Sequence, residues 1–342
     1  MSTGNIDLGA RGQPEHGEPP GTGTTAHPQG APVANPRELA AAMRGAVASV
    51  LRGKAAEVDL ALATLLSGGH LLIEDLPGTG KTLLARAIAA SVGGEFGRVQ
   101  CTPDLLPSDI TGTSVFRQDS ADWEFHPGPL FANVLLVDEV NRASPRTQAA
   151  LLEPMEEHQV TVDGVTRALP RPFFCVATQN PQGQLGTFPL PESQLDRFAL
   201  SLSLGLPGRD AEREVLSGVG GSDSLAGLEA VTTPAAVLEA IRATRATYCA
   251  PALLEYLLEL CDATRTGEHL SQGASPRASL GTLQLARGHA VVSGRDHVTP
   301  DDIQAVFVGS LAHRVMVGQR NDSVATREVL GWILANVAVP RP

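Results

Sequence analysis

A parallel α/β sheet carrying two β-hairpin insertions, followed by an all-helical C-terminal domain, is the fold that this 342-residue sequence predicts. Three observations predict it. From Gly68 to Leu202, short apolar runs alternate with helix-sized stretches: Leu71–Ile73, Arg98–Cys101, Val134–Val137, Phe173–Ala177 and Phe198–Leu202. Apolar strands separated by helices are the pattern of a sheet covered on both faces. Two segments interrupt that alternation and read as hairpins, one pairing Thr113–Arg117 with Asp122–His126 and a tighter one at 160–166 centred on Asp163-Gly164. Past Leu206-Pro207-Gly208 the strand signals stop, and helix-length segments divided by Gly, Pro and Ser breaks run to about Val337.

Taken in order, the first 35 residues hold seven Gly and five Pro, with Ile6, Leu8 and Val33 as their only large aliphatics, a composition predicting a disordered tail. Residues 37–66 read as two helices broken near Arg52-Gly53-Lys54, with Val58, Leu62, Leu65 and Leu66 at helical spacing. The division is therefore a tail over 1–35, an α/β domain over 36–205 and a helical domain over 206–342, in line with roughly 150 residues per domain. No internal repeat is visible.

Composition narrows the partners. The formal charge is −11 and each of the three segments is acidic, so no basic domain of the kind that binds nucleic acid is present. Mean hydropathy is zero and no run approaches the ~20 apolar residues of a membrane helix. The N-terminus has no basic region followed by an apolar one, so no signal peptide is read and a cytoplasmic protein is expected. Cys101, Cys175, Cys249 and Cys261 form no Cys-x-x-Cys pair and the nine histidines form no cluster, predicting buried thiols rather than a metal site.

The chemistry is carried by a strand–loop–helix run, Leu71-Leu72-Ile73-Glu74-Asp75-Leu76-Pro77-Gly78-Thr79-Gly80-Lys81-Thr82. It follows the phosphate-binding pattern Gly-x-x-x-x-Gly-Lys-Ser/Thr, in which backbone amides and a helix N-terminus cradle phosphates, the Lys reaches the outer phosphates and the hydroxyl holds Mg²⁺. Asp75 stands where the first Gly is expected. Pro77, Gly78, Thr79, Gly80, Lys81, Thr82 and Leu83 are the candidate nucleotide-binding residues. A Gly-rich turn with a surface lysine is the bland alternative, weakened because Lys54 and Lys81 are the only lysines in the chain.

A second run, Val134-Leu135-Leu136-Val137-Asp138-Glu139, is a strand ending in two acids. Asp138 would organise Mg²⁺ with Thr82, and Glu139 would polarise the attacking water; alone, the run could be an ordinary strand leaving the core. The guanine-reading Asn-Lys-x-Asp is impossible because both lysines follow Gly, which favours ATP. Asn180, closing the strand Phe173–Ala177 and its polar Thr-Gln-Asn end, could orient the water, contact the γ-phosphate or merely precede Pro181 in a turn. Arg197, between a helix end and the next strand, is either solvated or offered to a neighbouring subunit's γ-phosphate.

The run from Asn133 to Gly164, NVLLVDEVNRASPRTQAALLEPMEEHQVTVDG, with CVATQNPQGQLGTFPLPESQLDRF, resembles the MoxR family of AAA+ ATPases. The likeness covers about residues 37–335, including Ser275-Pro276-Arg277-Ala278-Ser279 and Asp296–Ile303. It implies an AAA+ core with a lid domain, in which Lys81 and Thr82 are Walker A, Asp138 and Glu139 Walker B, Asn180 sensor 1, Arg277 sensor 2 and Arg197 the arginine finger. Arg142 and Arg146 are comparable interface candidates. The hairpins match the helix-2 and pre-sensor-1 inserts. The Arg52-Gly53-Lys54 stretch departs from the family's Val-Gly-Gln, which bears on how adenine is held.

Ser275 and Pro276 read as the N-cap and first residue of a helix, so Arg277 places a cation where the helix dipole prefers anions. A duty at a γ-phosphate across the interdomain cleft would account for it. The resemblance further implies ATP and Mg²⁺, a homo-hexameric ring, a chaperone-like role in maturing or activating other proteins, and a von Willebrand factor A partner. That partner would be a separate chain, since no Asp-x-Ser-x-Ser occurs here. Two rivals stand beside it: a nucleotide-dependent switch with little turnover, against which Glu139 argues, and the motor subunit of a metal chelatase.

Overall fold

The computed structural model describes Met1 and residues 35–180, 186–267, 269–318 and 323–340. The segment predicted to be disordered lies outside the described residues apart from its two ends. Asn35 caps α1 (Pro36–Val50), its side chain accepting from the Arg37 amide, and a turn containing Gly53 leads to α2 (Ala55–Leu66). Strand β1 (His70–Glu74) enters α3 (Lys81–Val92), followed by β2 (Phe96–Gln100) and α4 (Pro107–Thr111). The first hairpin is β3 (Gly112–Arg117) with β4 (Asp122–Pro127). Then come β5 (Val134–Asp138), α5 (Pro145–Ala149), α6 (Leu152–Glu157) and the second hairpin, β6 (Gln159–Val162) with β7 (Val165–Ala168). Strand β8 (Phe174–Gln179), α7 (Glu192–Leu195) and β9 (Phe198–Leu202) complete the α/β part.

Every described element beyond β9 is a helix: α8 (Arg209–Leu216), α9 (Gly221–Ala226), α10 (Pro234–Arg245), α11 (Pro251–Thr266), α12 (Pro276–Val292), α13 (Pro300–Leu311) and α14 (Ser323–Asn336). Ser275 caps α12 by accepting from the Ala278 amide with Pro276 at its start, the geometry its sequence predicts. The strands fall within two residues of their predicted limits. Arg98–Cys101 shifts back to Phe96–Gln100, leaving Cys101 outside, and Phe173–Ala177 moves on to Phe174–Gln179.

Five strands form one parallel sheet in the order β2-β5-β8-β1-β9. Strands β5, β8 and β1 are buried along nearly their whole length, which is why they read as continuous apolar runs rather than as an alternation. One buried polar residue ties the layers: His70 donates from Nε2 to the Met155 carbonyl at 2.9 Å while its Nδ1 accepts from the Cys175 amide at 3.1 Å. The amide fixes the neutral tautomer, and burial pushes its pKa down to about 4.

Helices α1 and α2 precede the sheet in sequence yet pack against the C-terminal helices as well. Residues of α1, α2, α10 and α12 share one apolar core with β1 and α3. A Cβ on Gly288 of α12 would stand 2.3 Å from the Ala63 carbonyl oxygen of α2, so that close crossing requires Gly. The four cysteines are buried and unpaired.

Candidate nucleotide-binding site

The site grows from the C-terminal ends of three adjacent strands. Strand β1 pairs with β8 and β8 with β5, so the segments leaving them open side by side, where ligands sit in parallel sheets. Neighbouring strands stand ~4.8 Å apart. The turn after β1, Asn180 after β8, and Asp138-Glu139 at the end of β5 are thereby gathered within the span of one small molecule.

Asp75 explains its own departure from the glycine pattern. Its carboxylate accepts from the amides of Leu76 (2.8 Å) and Gly205 (2.6 Å), anchoring the turn to the chain that leaves β9. Gly78 and Gly80 take φ of +85° and +96°, a region L side chains rarely adopt, and Gly80 is the N-cap of α3. The first turn of α3 contains no acidic residue and has no side-chain cap among the described residues, which leaves its amides available as an anion cradle.

Lys81 donates from Nζ to the Asp75 carbonyl at 2.7 Å. Burial lowers its pKa, while Asp75, Asp138 and Glu139 act in the opposite direction, so all three carboxylates lie within electrostatic reach of the ammonium. A cavity of about 320 Å³ covers the turn, lined by Gly78, Gly80, Lys81, Thr82, Leu83 and Arg86, with Ser222 and Leu225 of α9 opposite. Thr79 does not line it: the residue is buried and its hydroxyl donates to the Leu76 carbonyl at 3.2 Å. Nor does Pro77, which is exposed.

The acids at the end of β5 are organised by Thr178 of β8. Its hydroxyl accepts the Glu139 amide at 2.9 Å and stands 3.4 Å from the buried Asp138 carboxylate. Glu139 has φ +55°, an uncommon conformation for a non-glycine residue and one that gathers at functional sites. Its carboxylate accepts from Arg142 at 2.8 Å. Asp138 accepts from Arg98 of β2 through both Nε (2.9 Å) and Nη2 (2.8 Å). Thr82 and Asp138 fit Mg²⁺ by their chemistry, a hydroxyl and a carboxylate being the hard oxygen donors that the ion combines with substrate phosphates. The Asp138 carboxylate is buried and paired with the Arg98 guanidinium.

Arg197 and Arg277 lie elsewhere, together. Arg197 donates to the Ser193 carbonyl (2.6 Å) and to Glu156 of α6 (2.7 Å), and Arg277 donates to the other oxygen of Glu156 at 2.5 Å. The Arg277 hydrogen bond is the main reason Glu156 is held below the usual carboxylate range. Asp196 adds 3.4 Å and 3.2 Å contacts to Arg277 and the buried Arg314, whose pKa burial lowers to about 10. Arg277, expected to cross the cleft of its own chain, does not line the cavity over Lys81; α9 supplies that wall. Arg146 is exposed and makes no ion pair or hydrogen bond among the described residues.

Lys54 of the divergent Arg52-Gly53-Lys54 stretch is buried, with Nζ donating to the carbonyls of Leu204 and of Leu206, the latter at 2.8 Å. Arg52 pairs with Glu214 of α8 at 2.7 Å. Sequence reasoning missed Arg98, Glu156, Thr178 and the α9 wall. Arg98 had a signal, a charged residue within an apolar strand, and Thr178 lay inside a run already singled out; Glu156 had none.

Two family models match in tandem: one described as the ATPase family associated with various cellular activities, over residues 70–200, and one described as an AAA lid domain, over 262–330. Fold and matches together define an AAA+ ATPase. Chaperone MoxR1 of Mycobacterium tuberculosis is 39% identical over 306 residues, covering 86% of this chain and 81% of that protein. Protein MoxR of Paracoccus denitrificans is 31% identical, with 82% and 88% covered, and the uncharacterised protein YeaC of Bacillus subtilis is 42% identical, with 85% and 92% covered. A crystal structure of a protein assigned as an ATPase, from Cytophaga hutchinsonii, superposes with a TM-score of 0.81 at 34% identity over 90% of this chain and 96% of that one. The chain belongs to the MoxR family of AAA+ ATPases.

Proposed function

We propose that this protein hydrolyses ATP as a homo-hexameric ring and uses the cycle to remodel, mature or activate partner proteins. The observation that carries the reading is the convergence of Lys81, after β1, with Asp138 and Glu139, closing β5 on the far side of β8, next to a cavity that Lys81 lines and α9 walls. The α3 amides and Lys81 bind the phosphates, and Thr82 and Asp138 would hold Mg²⁺. Bound there, Mg²⁺ would supply charge neutralisation to the phosphates. Glu139 takes the proton of the attacking water once it leaves Arg142, and Asn180 orients that water. The residues 36–205 act as the nucleotide-binding domain and 206–342 as the lid.

Arg197 and Arg277 share a carboxylate away from their own chain's cavity, which supports both acting on a neighbouring subunit's nucleotide. The chaperone name of the mycobacterial relative supports protein clients, and we extend this to a separate von Willebrand factor A partner and a cytoplasmic setting. Among the described residues no helix is long and apolar enough to cross a membrane. One observation favours the switch reading: Glu139 is engaged by Arg142. Steady-state ATP hydrolysis by the purified ring decides between them. Turnover that collapses in Glu139→Gln supports the motor, whereas bound ATP without turnover in the parent protein establishes the switch.

A further inference from the structure

We propose a second anion site at the opposite end of the sheet from the phosphate-binding turn, between the sheet and α10, that takes a small tetrahedral oxyanion such as inorganic phosphate. A cavity of about 100 Å³ opens there against Gly68 and Gly69 before β1, Phe173 before β8, and Ile241 of α10. Because the strands are parallel, these are their N-terminal ends, whereas the nucleotide cavity lies beyond their C-terminal ends. The two cavities are separate.

Its charge is the opposite of the molecule's. Arg171, Arg242, Arg245 and His158 line the cavity and, among the described residues, no carboxylate does, in a chain whose formal charge is −11. Arg242 is neutralised by Glu239 at 2.5 Å within α10. Arg171 and Arg245 are exposed and make no ion pair or hydrogen bond among the described residues. Both nevertheless act electrostatically on the His158 ring, countered by Glu157, so the two charges converge on one place. His158 Nδ1 is buried with no hydrogen-bond partner among the described residues.

The backbone makes room for this arrangement. Gly68 has φ +76°, and a Cβ on it would stand 3.2 Å from Arg245 Nη2 and 3.3 Å from the Ile241 side chain. A guanidinium presents paired N–H donors matched to an oxyanion, and the apolar walls, Leu65, Leu238 and Ile241, weaken the screening of that attraction. At about 100 Å³ the cavity is well below the ~300 Å³ at which ligand pockets for drug-sized molecules begin, so it suits a single anionic group and excludes a nucleotide. An oxyanion there joins Arg171, on the connection between β7 and β8, to Arg245 at the end of α10, fastening a C-terminal helix to the base of the sheet.

The test titrates inorganic phosphate into the full-length chain carrying Lys81→Ala, which disables the phosphate-binding turn as a competing anion site, with calorimetry as the readout and chloride as the background salt. One saturable site is expected, weakened about tenfold or more by Arg171→Gln with Arg245→Gln, since two charge-assisted contacts are lost. A phosphate-dependent rise in melting temperature, present in the Lys81→Ala chain and absent once both arginine substitutions are added to it, is the second readout. Absence of saturation, binding indifferent to the two substitutions, or binding that requires Lys81 would each overturn the proposal.

Discussion

Lys81 and Arg277 are both cations in a predominantly acidic protein, yet they are held in unlike ways. Lys81 leans on the Asp75 carbonyl six residues back, inside a turn whose glycines and helix start are set by the local chain. Arg277 and Arg197 are brought together by Glu156, 121 and 41 residues away in sequence, through packing of α12, α6 and the corner before β9. The first arrangement is built into the backbone. The second consists of partly exposed ion pairs, which contribute ~0–1 kcal/mol each and exchange partners readily. A preformed phosphate cradle beside re-pairable arginines suits a division between binding within the chain and catalysis between chains.

Lys81→Ala tests the rigid half and has the largest expected effect: loss of detectable nucleotide binding in calorimetry. Tight, Mg²⁺-dependent ATP binding by that variant would refute the assignment. Arg197→Ala tests the other half. It should retain binding while losing turnover by about 10³, and mixing it with Glu139→Gln subunits should restore part of the activity, since some interfaces then hold both intact parts. No rescue in rings shown by light scattering to be mixed shifts attention to Arg142 and Arg146. Glu139→Gln alone should bind ATP normally and lose turnover about a hundredfold or more; turnover near the parent's contradicts its role as base.

Acid probes the packing beneath both halves, which includes two buried neutral histidines. Burial lowers His70, on β1, to about 4 and His313, whose Nε2 meets the Phe198 carbonyl at 2.7 Å beside Arg314, to about 3. The unfolded chain binds these protons near pH 6.5, so the stability they confer is complete above that value and is lost as pH falls toward 4 and below. For His70 the loss is about 3 kcal/mol, read from denaturant midpoints between pH 7 and 4; a flat profile would mean neither ring is buried neutral. The smallest effect belongs to Glu156→Gln, expected to leave ATP binding unchanged and to cost no more than about 1 kcal/mol of stability. A larger cost would make the arginine cluster a structural element rather than an exchangeable one.

The same contrast explains what was legible in the sequence. Strand limits, the glycine turn, the cap at Ser275 and the acids closing β5 depend on neighbours in the chain, and composition and spacing report neighbours. Asp75 looked like a flaw in the phosphate-binding pattern because its partner, the Gly205 amide, lies 130 residues on. Arg98 next to Asp138 follows from β2 lying beside β5, a strand order that periodicity does not specify. Glu156 offered no local cue at all. Helices α1 and α2 read simply as the start of the α/β part, and only their tertiary packing reveals a face toward α10 and α12.

The chain crosses from the last strand into the helical array, and Lys54 grips that crossing by two alternate carbonyls, those of Leu204 and Leu206. Asp75 holds it from the other side through Gly205. The crossing is thus a riveted pivot rather than a loose hinge. Torque applied to the helices by a partner would be delivered at the base of the α1–α2 corner and at the mouth of the phosphate-binding turn simultaneously, so mechanical load and nucleotide occupancy would be sensed at one joint.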